Sequence, residues 1–282
     1  MKTADRFLST FSLISRIPVK AKFNFDPSGM DFFLPVTGVV PALLVFIACV
    51  ILSFAGNLLV RYPLIAAVLI IIVQYFCFNL FHLDGLMDTA DAFLGTVRRE
   101  KRQEILKDSR VGVYGFFAGF ISLVLKAALL SGLCPVIPAF PAVILAYPVT
   151  GRFAAALLPC MAEPANPGGL GALLKDSRPR RCVLGFAAAA AVWVLIAWGL
   201  LNAAALMPVP GSGFSVNILG AALVPAALLA GLSALVIAPG TAFFYARLYR
   251  RGIGGYTGDA LGAAVETAEL LYLAAALAAI SA

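Results

Sequence analysis

The chain has 282 residues, of which 62% are hydrophobic and only 12% charged, and its mean hydropathy is +0.97. A soluble domain carries about 25% charged residues, so this composition excludes a soluble globular protein and implies one that crosses a membrane repeatedly. The net charge of +7 needs no nucleic acid as partner, since anionic lipid headgroups and phosphorylated substrates account for it.

In chain order, residues 4–17 put Phe7, Phe11 and Ile14 on one side and Arg6, Ser9, Thr10 and Ser12 elsewhere. That pattern predicts a short helix lying on the inner membrane surface. Asp5 and Asp26 interrupt the first thirty residues, which argues against a cleavable signal. Pro18 and the Asp26-Pro27-Ser28-Gly29 turn precede the first apolar run. Runs long enough to span follow at 31–54, 59–81, 112–132, 136–160, 182–207, 216–238 and 260–282. Each is about 20 residues or more, enough for a hydrocarbon core about 30 Å thick. No strand pattern interrupts them. The expected fold is all-α: a polytopic helical membrane protein with about seven transmembrane helices, built as a single domain over residues 1–282.

Lysine and arginine set the orientation. They gather before the first span (Lys2, Arg6, Arg16, Lys20, Lys22), between the second and third (Arg98 to Arg110), after the fourth (Lys175 to Arg181) and after the sixth (Arg247, Arg250, Arg251). The alternate loops hold only Arg61. A cytoplasmic N-terminus and an outward C-terminus put every basic loop inside. Segments 82–111, 161–181 and 239–259 then share the cytoplasmic face and are expected to form the active site, beside the interfacial segment 1–30.

The most informative stretch is Phe81 to Arg110, FHLDGLMDTADAFLGTVRREKRQEILKDSR. Asp84, Asp88 and Asp91 recur at i, i+4 and i+7, so a helix stacks them on one face. Like charges this close repel, and near a bilayer they also lose hydration. A divalent cation would relieve both penalties, and oxygen-only ligands favour Mg²⁺ or Mn²⁺ over zinc. The plainer reading is a solvated helix end. His82 is the only histidine and cannot build a zinc site. It could orient a phosphate, accept a proton or cap its helix. Cys49, Cys77, Cys134, Cys160 and Cys182 lack metal-ligand spacing and read as packing residues.

Three further segments combine cations, acids and glycines. They are Lys107-Asp108-Ser109-Arg110, the loop Asn166 to Gly171 with Gly169, and Arg250 to Gly262 with Arg251, Gly255, Thr257 and Asp259. Glycine-rich loops beside cations can wrap a phosphate with backbone N–H groups, though ordinary turns look the same. Thr257 or Asp259 could cap the last helix. Lys126 lies about 21 Å into the third span and Glu269 about 14 Å into the seventh, at about 1.5 Å per residue. A buried Lys126–Glu269 pair is one solution, and a lysine reaching outward past Gly132 is the other.

HLDGLMDTADAF, RREKRQEILKDSRVGVYG and GGYTGDALGAAVETAEL together resemble the signature segments of the cobalamin synthase family, the adenosylcobinamide-GDP ribazoletransferases. FLSTFSLISRIPV, FFLPVTG, Gly151-Arg152 and the GGLG loop are also similar, so the resemblance covers nearly the whole chain. Ala92 stands where glycine is expected, and Tyr256 fills a variable slot. The resemblance implies a Mg²⁺-dependent inner-membrane enzyme with a cytoplasmic active site. It would join adenosylcobinamide-GDP to α-ribazole or its 5′-phosphate and release GMP. Membrane lipid would surround it, and assembly with like chains is left open. On that reading Asp84, Asp88 and Asp91 hold the metal. Asp259 is a fourth ligand or the base, and Asp91, His82 and Asp108 are further catalytic candidates. Lys107, Arg110, Arg251, Gly255, Thr257 and Gly169 contact substrate. A CDP-alcohol phosphotransferase would place Ala-Arg after the first Asp-Gly, where this chain has Leu86-Met87-Asp88. An ion-coupled transporter would favour broken helices and paired repeats, which the sequence does not display.

Overall fold

Backbone groups inside a bilayer find no water, so apolar runs of this length close into helices that satisfy their own N–H and C=O groups. The computed structural model describes residues 3–137, 146–206 and 216–281, with backbone alone described for 197–206 and 216–230. Among them α1 is Thr3–Ile14, α2 Met30–Thr37, α3 Val39–Phe54, α4 Leu58–Arg61, α5 Pro63–Gln74, α6 Leu80–Phe93 and α7 Arg99–Ile105. Then come α8 Val113–Leu133, α9 Tyr147–Leu157, α10 Pro179–Leu206, α11 Val216–Ile253 and α12 Gly258–Ser281. The described residues form no strand, only one isolated bridge between Pro164 and Tyr256.

Six helices among the described residues are long and apolar enough to cross a membrane: Met30–Phe54, Pro63–Phe93, Val113–Val136, Pro179–Ile196, Gly231–Ile253 and Gly258–Ser281. The chain is a multi-pass helical membrane protein. The expected fourth span falls partly on residues 138–145, which lie outside the described residues, as do the end residues 207 and 282 of the fifth and seventh.

Two spans are jointed. The first is broken at Gly38, where a Cβ would stand 2.8 Å from the Val149 backbone. Only glycine lets α2 and α9 approach so closely. The second does not stop near Phe81 as its hydropathy suggested. A π-turn, Tyr75–Asn79, joins α5 to α6 in one 31-residue helix. The turn sets Tyr75, Phe78 and Asn79 inward.

α12 is the hub, packed against α6, α8, α9 and α11. Its buried Gly262, Ala263, Ala264, Ala268 and Ala276 let neighbouring backbones close in. α1 forms as expected, but one side of it meets protein. Phe7 stacks on Phe11 and meets Phe33 edge-on, while Phe11 meets Phe78. Arg6 donates to Asp26 at 2.9 Å, and Asp26 accepts the Ser28 N–H at 2.9 Å. The Ser28 contact, helped by Arg6, lowers the Asp26 carboxyl to about 2.

Midway along the spans lies a buried charge network. Lys126 donates to Glu266 at 2.9 Å and to Glu269 at 2.8 Å, and Arg152 donates to Glu269 at 3.1 Å. Tyr75 donates to Glu266, Tyr147 donates to Gln74, and Asn79 bonds both glutamates and Arg152. Lys126, Arg152, Glu266 and Glu269 are all fully buried, so two cations meet two carboxylates and the set is neutral. The paired solution for Lys126 therefore holds, and the outward-reaching alternative does not.

Candidate active site

Glycine decides where α6 meets α12. A Cβ on Gly85 would stand 2.8 Å from the Asp259 carbonyl oxygen and 2.9 Å from its Cα. A Cβ on Gly262 would stand 2.9 Å from the His82 carbonyl oxygen. Two bare backbone positions thus press the start of α12 against α6, and Asp259 arrives beside the aspartate face. Asp84, Asp91 and Asp259 all lie close enough to act on the charge of Asp88. Thr257 donates to Asp259 at 3.0 Å, fixing one carboxylate oxygen.

Asp91 has a second job. Its two oxygens accept the Gly112 and Gly115 N–H groups, each at 2.8 Å. It caps the N-terminus of α8 from another helix, where exposed N–H groups favour an anion. A carboxylate has about four lone-pair sites, so each oxygen can still accept a further ligand. Deeper on α6, Thr89 and Tyr249 share a hydrogen bond of 2.7 Å, which ties the helix to α11.

None of Asp84, Asp88, Asp91 or Asp259 is in an ion pair among the described residues. Four hard oxygen donors without a protein cation suit a divalent cation. No three acidic, histidine or cysteine side chains among the described residues close into a cage.

The loop 163–171 packs over the start of α12. Ala165 N–H donates to Tyr256 at 2.8 Å, Tyr256 N–H to Glu163 at 2.9 Å, and the Tyr256 hydroxyl to Gly171 at 3.0 Å. Gly255 is buried there, since a Cβ would come 2.4 Å from the Glu163 carbonyl oxygen. Gly254 ends α11 at φ +94, a left-handed conformation that favours glycine. Gly169 lines a cavity of about 420 Å³ with Ser28, Lys175 and Arg181. Arg181 in turn pairs with Asp31 at 3.2 Å.

The remaining candidates make no hydrogen bond to this cluster among the described residues. Asp108 and Arg110 form a local pair at 2.6 Å, with the arginine side chain 87% exposed. The Arg110 hydrogen bond lowers the Asp108 carboxyl to about 2. Lys107 and Arg251 are exposed. His82 does not face the aspartates openly. It is 4% exposed, its Nδ1 has no partner, and it lines an apolar cavity against α12.

The reading of the sequence missed Gln74, Asn79 and Tyr75 as partners of the charge network, and Thr89 as a link to α11. Arg152 was noted only as half of a Gly-Arg pair. An arginine inside an apolar run already implies a buried carboxylate, and that signal was available.

A family model described as Cobalamin-5-phosphate synthase matches residues 6–277. A curated protein of Fusobacterium nucleatum subsp. nucleatum, named adenosylcobinamide-GDP ribazoletransferase, is 30% identical over 277 residues, covering 95% of each chain. No solved structure matches the chain.

Proposed function

The chain belongs to the cobalamin-5-phosphate synthase family and carries that family's ribazoletransferase activity; we propose that the aspartates of α6 and the start of α12 are its catalytic centre. The substrates are adenosylcobinamide-GDP and α-ribazole or its 5′-phosphate, and the leaving group is GMP. The observation that carries this assignment is the meeting of Asp259 with the Asp84–Asp88–Asp91 face across Gly85.

A ribose hydroxyl of the acceptor attacks the phosphorus that bears cobinamide, in line with the bond to GMP. That P–O bond breaks as the new one forms, and the hydroxyl proton leaves to a carboxylate. Asp259 suits this role because Thr257 holds one of its oxygens and its charge acts on Asp88 of the aspartate face. Asp84, Asp88 and Asp91 would hold Mg²⁺, which when bound neutralises phosphate oxygens. The α8 cap keeps Asp91 aimed, and Gly112 and Gly115 give that cap its close backbone approach. Lys107, Arg110 and Arg251 are exposed cations near the loop ends and suit the pyrophosphate. We place this centre on the cytoplasmic side of a bacterial inner membrane, because every basic loop then faces inward.

The test is the lipid-reconstituted protein with adenosylcobinamide-GDP, α-ribazole and Mg²⁺. GMP release that depends on both organic substrates supports the reading. Release without α-ribazole, or none at all, overturns it.

A further inference from the structure

Beside the aspartate cluster lies a cavity of about 70 Å³ walled by α1, α2, α6, the first turns of α12 and the segment 170–174, with Leu173 among its lining. Leu13, Leu34, Leu261 and Val265 line it, and no acid, lysine or arginine does. Two polar side chains reach it, Thr10 and His82. The Thr10 hydroxyl is committed to the Arg6 carbonyl at 2.9 Å. His82 is 4% exposed and its Nδ1 has no partner. An unpaired buried imidazole is costly, and His82 is the one lining side chain whose hydrogen-bonding capacity is uncommitted among the described residues.

We propose that this cavity seats the aromatic base of the acceptor nucleoside, with His82 hydrogen-bonded to a ring nitrogen. The assignment rests on the transferase reading above and deepens it. One water needs about 10–15 Å³ of such room, so the cavity holds roughly five waters, about 150 Å³ of liquid. That is the volume of a fused bicyclic ring. The other groups in the reaction do not fit. The pyrophosphate is anionic and the lining has no cation. Guanine carries several donors and acceptors, and one imidazole would leave the rest unpaired. The corrin is far larger than the space. The benzimidazole of α-ribazole is flat, apolar and bicyclic. Its glycosylated ring keeps one bare nitrogen, which can accept a single N–H from the His82 ring that lines the cavity. Gly258 lines the cavity and precedes Asp259 directly. A base seated here leaves its ribose beside the start of α12, where Asp259 follows Gly258.

The test compares wild type with Leu261→Trp and Leu173→Trp, which fill the cavity from two different elements, and with His82→Phe. Binding of α-ribazole is measured by calorimetry in nanodiscs, and KM is measured for each substrate. Each variant is expected to weaken α-ribazole binding and raise its KM by about tenfold or more, with the donor KM within about twofold. Thermal melting identifies a variant that fails to fold, and the remaining two then decide. Unchanged α-ribazole binding in the folded variants, or an equal rise in both KM values, overturns the assignment. If wild type binds α-ribazole in the cavity yet releases no GMP, the transferase reading fails and the base site stands.

Discussion

Lys126 Nζ stands 2.8 Å from Glu269 Oε2, with both side chains fully buried between α8 and α12. The same lysine reaches Glu266, and Arg152 closes the set from α9. Asn79, one residue before α6, binds both glutamates, so the network also fixes the helix that carries the aspartates.

Removing one charge leaves its partner buried and uncompensated, which costs about 3–5 kcal/mol. Lys126→Met and Glu269→Gln should each lower the folded yield and melting temperature in detergent. The double variant should be less damaged than the sum of the singles, because it restores neutrality. Strict additivity would show that the two side chains are not coupled.

Asp84→Asn, Asp88→Asn and Asp91→Asn should each lower turnover by about a hundredfold or more, the loss of roughly 3 kcal/mol of transition-state stabilisation. Stability separates them. Asp84→Asn and Asp88→Asn relieve like-charge repulsion, so in chelator they should melt no lower than wild type. Asp91→Asn weakens the α8 cap and should cost about 1 kcal/mol. Near-normal rates in all three would remove the aspartates from the reaction.

The helices and the aspartate register were legible because both are local: apolar length and the 3.6-residue period. The Lys126–Glu269 pair was legible as one of two solutions, since a charge at that depth must either pair or reach the interface. What the sequence did not reveal depends on helix rotation. The π-turn at Tyr75–Asn79 turns Asn79 into the charge network, and no hydropathy profile records it. That Asp91 also caps α8 was not legible, because Gly112 and Gly115 arrive from another helix. The close approach at Gly85 and Gly262 depends on how α12 lies against α6, which no local pattern records.

Asp26 gives a pH prediction. Its folded carboxyl lies at about 2, lowered mainly by Ser28 and then by Arg6, against about 3.9 when unfolded. A lowered carboxyl stabilises the fold above the unfolded value, and that contribution fades as pH falls toward about 2. Hydrogen exchange of α1 should therefore rise relative to the other helices between about pH 4 and pH 2. Asp26→Asn should show the faster exchange already at pH 6 and lose the dependence. A wild-type α1 whose protection is flat over that range would break the argument.

Orientation is open to labelling. Cysteines placed at Arg99 and Ser281, in a background lacking the native five, should react from opposite sides of sealed vesicles. Arg99 should label from the cytoplasmic side, because the basic loops stay inside. Reaction of both from one side would exclude either seven spans or this orientation.

Gly85→Ala tests whether backbone contact, and not side-chain chemistry, brings Asp259 to the aspartates. The added methyl would meet the Asp259 carbonyl oxygen at 2.8 Å and its Cα at 2.9 Å. Neither is the end of a flexible side chain, so α6 and the start of α12 must move apart. Overpacking of this kind costs about 1–3 kcal/mol. A displacement of about 1 Å at reacting groups can cost about a hundredfold in rate. The variant should therefore fold with a lowered melting temperature and lose far more activity than stability. Gly254→Ala is the control, because a Cβ there meets nothing within 4 Å and is disfavoured only by its φ of +94. It should cost about 1 kcal/mol of stability and leave most of the turnover. If Gly85→Ala kept wild-type turnover while Gly254→Ala lost it, the approach of Asp259 across Gly85 would not be what assembles the site.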